Sequence, residues 1–357
     1  MAAAALAFAG PASAKPGDLI VNEYGAGAVV RVDPHNGHVS PLTSGPPITS
    51  ASYVAVGLGG QRAVTDENLP GIFTVNPRTG AEHQLASSGL SGPYGIDADP
   101  KGNWIVAEYG TMDPATRKII KVNRRTGGIH TIKAGGWLAY PYGVAIDPHT
   151  GTIFVLDSGG AVDRLTPSGH RSTLASGAPL STELWAIARA PDGTLFVTDN
   201  STEQLYRINP RTGGVHLVAS GLGSEPFGVT VGLDGKVYTT DLSVGTVNRV
   251  NPDTGNVTQV APLSGALGIA VQPPKCGGKT ATIFGSVKSD TLKGSPFKDV
   301  IAGLGRKDKI TGGRGNDVIC GGGGNDTLVG GPGRDKLIGG GGNDRCIGDR
   351  HDVFRSC

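Results

Sequence analysis

A charge excess of one sign, long apolar runs and scattered cysteines are all missing from this chain, and each gap removes a class of protein. Lys and Arg number 32 against 30 Asp and Glu, a net charge of +2 at pH 7 with no basic cluster, so no long-range field points to nucleic acid or an anionic membrane. Beyond the N-terminus no apolar run approaches the roughly 18 residues needed to span a bilayer. There is no Gly-x-Ser-x-Gly elbow and no His-Glu-x-x-His helix. No cysteine precedes Cys276. All four, Cys276, Cys320, Cys346 and Cys357, fall in the last quarter, which reads as a local disulfide framework formed in an oxidising compartment.

What is abundant is glycine, 59 of 357 residues, and so much of it predicts turns and short strands, an all-β chain. The length allows two domains or one large repeat array. The opening "MAAAALAFAGPASAKPGD" has an apolar stretch and a small-x-small site, Ala12-Ser13-Ala14, before Lys15. It reads as a signal peptide over residues 1–14 without a basic n-region, hence a secreted, extracellular protein.

Written under itself, the chain repeats. "NPRTG" at 76 returns as "NRRTG" at 123, "NPRTG" at 209 and "NPDTG" at 251, with "DPHNG" at 33 and "TPSG" at 166 as weaker copies. The closing glycines are Gly37, Gly80, Gly127, Gly169, Gly213 and Gly255, spaced by 43, 47, 42, 44 and 42 residues. Each copy carries a β-rich run ending in an acid, such as "TLFVTDN" (194–200), and ahead of it a run with an Asp/Pro/Gly turn, such as "PYGVAIDPHTG". With strands on either side of the Asn-Pro-x-Thr-Gly turn, that makes four strands per repeat, the content of a propeller blade. The first copy lacks an inner strand, and "ALGIAVQ" (266–272) matches it at the other end, so the expectation is a six-bladed β-propeller over 18–272, closed by its last strand.

Two rings of residues recur with the blades. Tyr53, Tyr94, Tyr142, Trp185 and Phe227, with Leu267 in the sixth place, begin the inner strands, where flat side chains at a channel mouth would stack on a ligand, or else wedge the blades apart. Glu23, Asp66 or Glu67 (Glu67 being taken into the ring), Glu108, Asp157, Asp199 and Asp241 end the second strands, where converging carboxylates would hold a metal or act as acid and base, or else accept hydrogen bonds from their own loops. The third blade breaks the symmetry with loops 109–117 and 134–141, which bring Tyr109, Met112, Trp137 and Tyr140 to the same face, as further ligand contacts or else as loop packing. These phrases resemble NHL-type repeats and their relatives, the streptogramin lyase and gluconolactonase propellers. That resemblance implies the fold rather than an activity, since such propellers serve as binders, lactonases and a lyase. A lyase of that type would need histidine near the mouth, where this chain has Tyr, Trp or Phe.

The glycine run near the C-terminus divides into nines from Gly285. Asp290, Asp299, Asp308, Asp317, Asp326, Asp335 and Asp344 keep phase, followed two places later by Leu292, Ile301, Ile310, Ile319, Leu328, Leu337 and Cys346. A disordered linker has no reason to keep that phase, and the run carries no Gly-Lys-Ser/Thr for a phosphate loop. The Gly-Gly-x-Gly-x-Asp-x-U-x unit resembles the RTX, or hemolysin-type, calcium-binding repeat. The resemblance implies a parallel β-roll over 285–348 with calcium as cofactor. Its ligands would come from Asp308, Asp317, Asp326, Asp335 and Asp344 and from turns containing Gly312, Gly315, Gly321, Gly324, Gly330, Gly333, Gly339 and Gly342. Turns eighteen residues apart would pair, Asp317 with Asp335 and Asp326 with Asp344, with Asp308 and Asp326 a third pair. Asp290 and Asp299, in copies with degraded glycines, are expected to bind poorly.

Seven small apolar residues cannot offset the entropy of ordering so glycine-rich a segment, so the ion must contribute to its folding. Residues 276–357 carry 13 Lys and Arg against 9 Asp, which suits the weaker binding that millimolar extracellular calcium permits. Of the three possible disulfide pairings, Cys276–Cys320 and Cys346–Cys357 would lock the two ends. The expected organisation is thus a propeller, a joint at 273–284, the calcium roll and a cap at 349–357. The expected function is a calcium-dependent, monomeric extracellular protein whose propeller binds a carbohydrate, peptide or protein, the alternative being a metal-assisted hydrolase or lyase acting at the propeller mouth.

Overall fold

The computed structural model describes residues 13–43 and 47–357, so the segment expected as a signal peptide lies almost wholly outside the described residues. Six four-stranded antiparallel sheets form a ring. In the first sheet Ala266–Val271, the last strand of the ring, lies inside Leu19–Glu23, with Leu19 opposite Val271 and Val21 opposite Ile269. Second strands such as Trp104–Glu108 and Leu195–Asp199 are buried along their whole length, because blades flank both their faces, and so read as apolar, β-branched runs. Fourth strands such as Val215–Ser220 bury little.

The repeated turn phrase explains the period. At Asn76 the side-chain Oδ1 accepts the N–H groups of Arg78 (2.9 Å) and Thr79 (3.1 Å), and Gly80 N–H donates to the Asn76 carbonyl at 2.9 Å. The closing glycine sits at positive φ, +69° at Gly127 and +74° at Gly213, and abuts the preceding blade. A Cβ at either position would stand 1.9 Å from the carbonyl oxygen of Leu85 or Leu174, so only glycine allows the next blade to approach. Between blades, the hydroxyls of Thr65 and Thr198 donate to the inner-strand carbonyls of Tyr94 (2.6 Å) and Phe227 (2.7 Å).

Beyond the ring the nonapeptides wind into a flattened coil of two parallel sheets. One contains Ile283–Phe284, Val300–Gly305, Val318–Gly323, Lys336–Gly341 and Val353–Arg355; the other contains Thr291–Lys293, Lys309–Thr311, Thr327–Val329 and Arg345–Ile347. Neighbouring strands are in register eighteen residues apart, as with Ile301, Ile319 and Leu337. The apolar residue of each nonapeptide, with Ile283 added, forms a single buried row ending in Cys346.

The stretch 273–284 is a structured part of the coil. It makes a hairpin, Lys275–Cys276 with Lys279–Thr280, that covers Val300 and Val318, and then supplies the coil's first strand. The segment after 348 adds a further strand, Val353–Arg355, paired with Lys336–Ile338. Disulfides join Cys276 to Cys320 and Cys346 to Cys357.

The coil lies against the face of the ring opposite the aromatic residues. Ala281, Thr282, Ile283 and Phe284 border a channel cavity of about 240 Å³, to whose wall every inner strand gives apolar residues, among them Val54, Ile96, Val144, Ile187, Val229 and Ile269.

Candidate functional site

The coil aspartates form two ladders. Each backbone N–H donates to Oδ1 of the aspartate eighteen residues on, Asp290 to Asp308, Asp299 to Asp317 and Asp308 to Asp326 at 2.8 Å, then Asp317 to Asp335 and Asp326 to Asp344 at 2.9 Å. The members of each expected pair therefore share one side of the coil, Asp317 with Asp335 on one and Asp308, Asp326 and Asp344 on the other. Oδ2 is different: in Asp308, Asp317, Asp326, Asp335 and Asp344 it is buried with no hydrogen-bond partner. A buried carboxylate oxygen without a donor is costly unless a cation answers it.

The glycines show what kind of space that oxygen faces. A Cβ on Gly312 would meet Asp317 Oδ2 at 2.5 Å and the Gly330 carbonyl oxygen at 2.6 Å; on Gly321 it would meet Asp326 Oδ2 at 2.3 Å and the Gly339 carbonyl at 2.7 Å. Bare backbone thus keeps carbonyl and carboxylate oxygens within reach of one another, a hard-oxygen donor set that fits calcium. Gly315, Gly324, Gly333 and Gly342 hold positive φ in these turns, as do Gly313, Gly322, Gly331 and Gly340. Burial, together with neighbouring carboxylates, pushes Asp308 and Asp317 up to about 7 and raises Asp326 and Asp335. Among the described residues no three acidic, histidine or cysteine side chains gather at one point, so a cation in the coil would rely largely on backbone carbonyls.

At the propeller mouth the aromatic ring closes on itself. Tyr53, Tyr94 and Phe227 are buried, with centroids 5.2 Å (Tyr53 to Tyr94), 5.9 Å (Tyr53 to Phe227) and 6.0 Å (Tyr94 to Phe227) apart. Tyr53 also donates its hydroxyl across the channel to the Trp185 carbonyl at 2.7 Å. These three are a plug rather than open ligand contacts, because six inner strands leave a channel narrow enough for their rings to meet. Tyr142 and Trp185 stay half-exposed and stacked at 4.9 Å, and Tyr109 stacks on Tyr142 at 6.2 Å. Trp137 and Tyr140 lie on nearby loops, each with an arginine on its ring face: Arg171 at 4.2 Å from Trp137 and Arg117 at 3.9 Å from Tyr140.

The strand-ending acids hold loops. Asp199 accepts from Ser181 N–H (2.9 Å), Ser181 Oγ (2.6 Å) and Thr202 N–H (3.2 Å). Asp241 accepts from Glu225 N–H, Asp157 from Ala139 and Tyr140 N–H, and Glu108 from Ser91 N–H while pairing with Lys118 at 3.7 Å. In the second blade this part belongs to Asp66, which takes the N–H groups of Thr49, Ser50, Asn68 and Leu69. Glu67 lies instead beside Tyr24, and burial raises its carboxyl. Glu23 is half-buried, its carboxyl raised by desolvation, with no loop hydrogen bond among the described residues.

Residues 293–328 and 321–350 match the family of the RTX calcium-binding nonapeptide repeat (4 copies). The coil is built of RTX calcium-binding repeats. No curated protein matches the chain. Among solved structures, one titled as a nidogen/laminin complex is 17% identical with a TM-score of 0.64, covering 72% of this chain and 99% of that one. Virginiamycin B lyase from Staphylococcus aureus is 16% identical with a TM-score of 0.54, covering 70% and 83%, and a streptogramin B lyase is 17% identical with a TM-score of 0.55, covering 72% and 85%. At such identities the likeness shows the propeller fold alone.

Sequence reasoning preferred Glu67 to Asp66 and missed Asp352. Asp66 stands fourteen residues before Gly80, as Asp199 does before Gly213 and Asp241 before Gly255, a spacing that singles it out over Glu67. Asp352 continues the RTX ladder by accepting Asp335 N–H at 2.8 Å, but one residue is missing from its copy, which hides it from a strict nine-residue count. Tyr109, expected from the third-blade loop to lie on this face, does so, stacked on Tyr142.

Proposed function

We propose that this is an extracellular protein in which the RTX coil takes up calcium at turns built on Asp308, Asp317, Asp326, Asp335 and Asp344, and in which the propeller presents its mouth to a ligand. The observation that carries the calcium reading is the row of buried Oδ2 atoms without donors, each beside a glycine whose Cβ would crowd it. When bound, the ion supplies positive charge to oxygens that the ordered coil brings together. The chain's own residues fix those oxygens, Oδ1 through the ladder N–H and the carbonyls through the glycine turns.

Titrating calcium into the full chain by calorimetry tests this. Asp317→Asn and Asp335→Asn keep the Oδ1 acceptor but lose charge, and should each weaken uptake by about 10-fold or more, since ligand charge sets affinity in such oxygen sites. No uptake at millimolar calcium, or unchanged binding in both variants, would sink the reading.

For the propeller, the half-exposed faces of Tyr109, Tyr142 and Trp185 beside Glu67 and Glu183 support binding of a carbohydrate, peptide or protein surface. A hit from a glycan or peptide array that survives Trp185→Ala would count against the mouth as its site. The disulfides and the RTX repeats support an extracellular setting, and among the described residues no helix is long and apolar enough to cross a membrane. Metal-assisted hydrolysis or lyase chemistry at the mouth has little to draw on, because most ring carboxylates already accept backbone N–H groups.

A further inference from the structure

The first two nonapeptides, 285–293 and 294–302, keep the aspartate but treat its Oδ2 differently. Asp290 Oδ2 accepts from Ser286 N–H (2.7 Å) and Ser286 Oγ (3.1 Å); Asp299 Oδ2 accepts from Ser295 N–H (2.7 Å) and Ser295 Oγ (2.9 Å). Serine stands at the second place of the unit, where the later copies have Gly313, Gly322, Gly331 and Gly340, all at positive φ. Ser286 and Ser295 are not in that region, nor are Lys288 and Phe297 at the fourth place. The peptide before serine therefore turns its N–H toward the carboxylate. In the glycine copies it turns away: Gly313 N–H donates to the Gly330 carbonyl at 3.1 Å.

The same two copies make the contacts with the ring. Val287 N–H donates to the Leu233 carbonyl at 3.0 Å, Lys288 pairs with Asp253 at 3.3 Å, His149 Nδ1 meets the Gly294 carbonyl, and Lys101 lies 4.7 Å from the centre of the Phe297 ring. Among the described residues, every hydrogen bond and ion pair between the nonapeptides and the propeller comes from these copies.

We infer that Ser286 and Ser295 close their turns to calcium by occupying the oxygen the ion would take, so that the coil has a metal-independent seat on the propeller and a calcium-responsive distal part. This rests on the calcium reading above, but adds to it where calcium does not act and why. A donor pair supplied by the chain makes each seat turn self-sufficient, whereas the later turns order only with the ion. Calcium then changes the length of the ordered coil while its attachment persists.

Hydrogen exchange of the full chain, read by mass spectrometry in excess calcium and in chelator, tests the division. At calcium about 100 times its dissociation constant, protection over 312–347 should exceed that in chelator by on the order of 100-fold, while protection over 283–301 stays the same. Loss over both segments would overturn the inference while leaving calcium binding intact; no calcium response anywhere, with no uptake by calorimetry, would instead remove the reading beneath it. As a second measurement, Ser286→Gly combined with Lys288→Gly restores the glycine turn, and the number of calcium ions bound should rise by one. An unchanged number in a variant that keeps its calcium-dependent protection over 312–347 would show that serine is not what shuts the turn.

Discussion

Leu304 and Arg306 hold φ of +87° and +66°, in a copy whose later counterparts put glycine at both places. A side chain in that region costs about 1–2 kcal/mol, so the third copy carries strain the fourth to seventh avoid. Arg306 is exposed, which leaves little packing to lose. Arg306→Gly should stabilise the ordered coil by up to ~1 kcal/mol, seen as a lower calcium midpoint for ordering by circular dichroism; a higher midpoint would mean the side chain contributes more than its backbone costs.

A second residue-scale effect concerns Asp97, which faces the channel cavity and accepts Ile146 N–H at 2.8 Å. Burial raises its carboxyl to about 6, with Arg189 opposing only partly. The folded protein therefore holds a proton there that the unfolded chain releases near pH 4. Stability associated with the protonated form is complete below that value and declines as pH rises through about 6. Asp97→Asn removes the titration, so its melting temperature should gain on the parent between pH 4 and 7 and run parallel above; a constant gap across that range would contradict the assignment.

At the scale of the element, the strand-ending acids act as the fasteners of each blade. Asp199 joins its entry loop at Ser181 to the turn at Thr202, and it is fully buried. Asp199→Ala leaves those donors without a partner and should cost about 2–3 kcal/mol in a denaturant melt of the propeller while calcium uptake by the coil stays unchanged. Elements were also where the sequence was most legible. The Asn-Pro-x-Thr-Gly turn and the nine-residue aspartate phase both declare a period, and a period fixes blade, coil and register together. Neighbours that depend on how the ring closes were not legible. Tyr53 and Phe227 come from distant blades, and whether their rings line a mouth or meet inside it depends on channel width. Ser286 and Ser295 read as decay of a glycine motif, because the hydrogen bonds that give them a purpose require a turned peptide that one-letter codes do not display.

At the scale of the whole molecule, ring and coil share an interface as well as a chain. The apolar channel wall from Val54 to Ile269 has Ile283 and Phe284 at its end. A chain ended after Gln272 keeps the seam between Leu19–Glu23 and Ala266–Val271 and should still fold, but with that end uncovered. It should bind the dye ANS more strongly and melt at lower temperature than the full chain; identical behaviour would mean the coil merely trails from the ring.

The seam also sets an order of events. Leu19–Glu23 is among the first parts of the propeller to be made, and its inner partner is the last. While the intervening blades are still emerging, the growing array is an open stack with two bare blade faces and an unpaired edge on Leu19–Glu23, the state in which β-proteins are most exposed to mispairing. Closure must wait for residue 271, and the hairpin and seat follow within the next thirty residues or so. The surface that receives the coil is therefore completed only moments before the coil itself emerges, so that docking comes last in the life of the nascent chain.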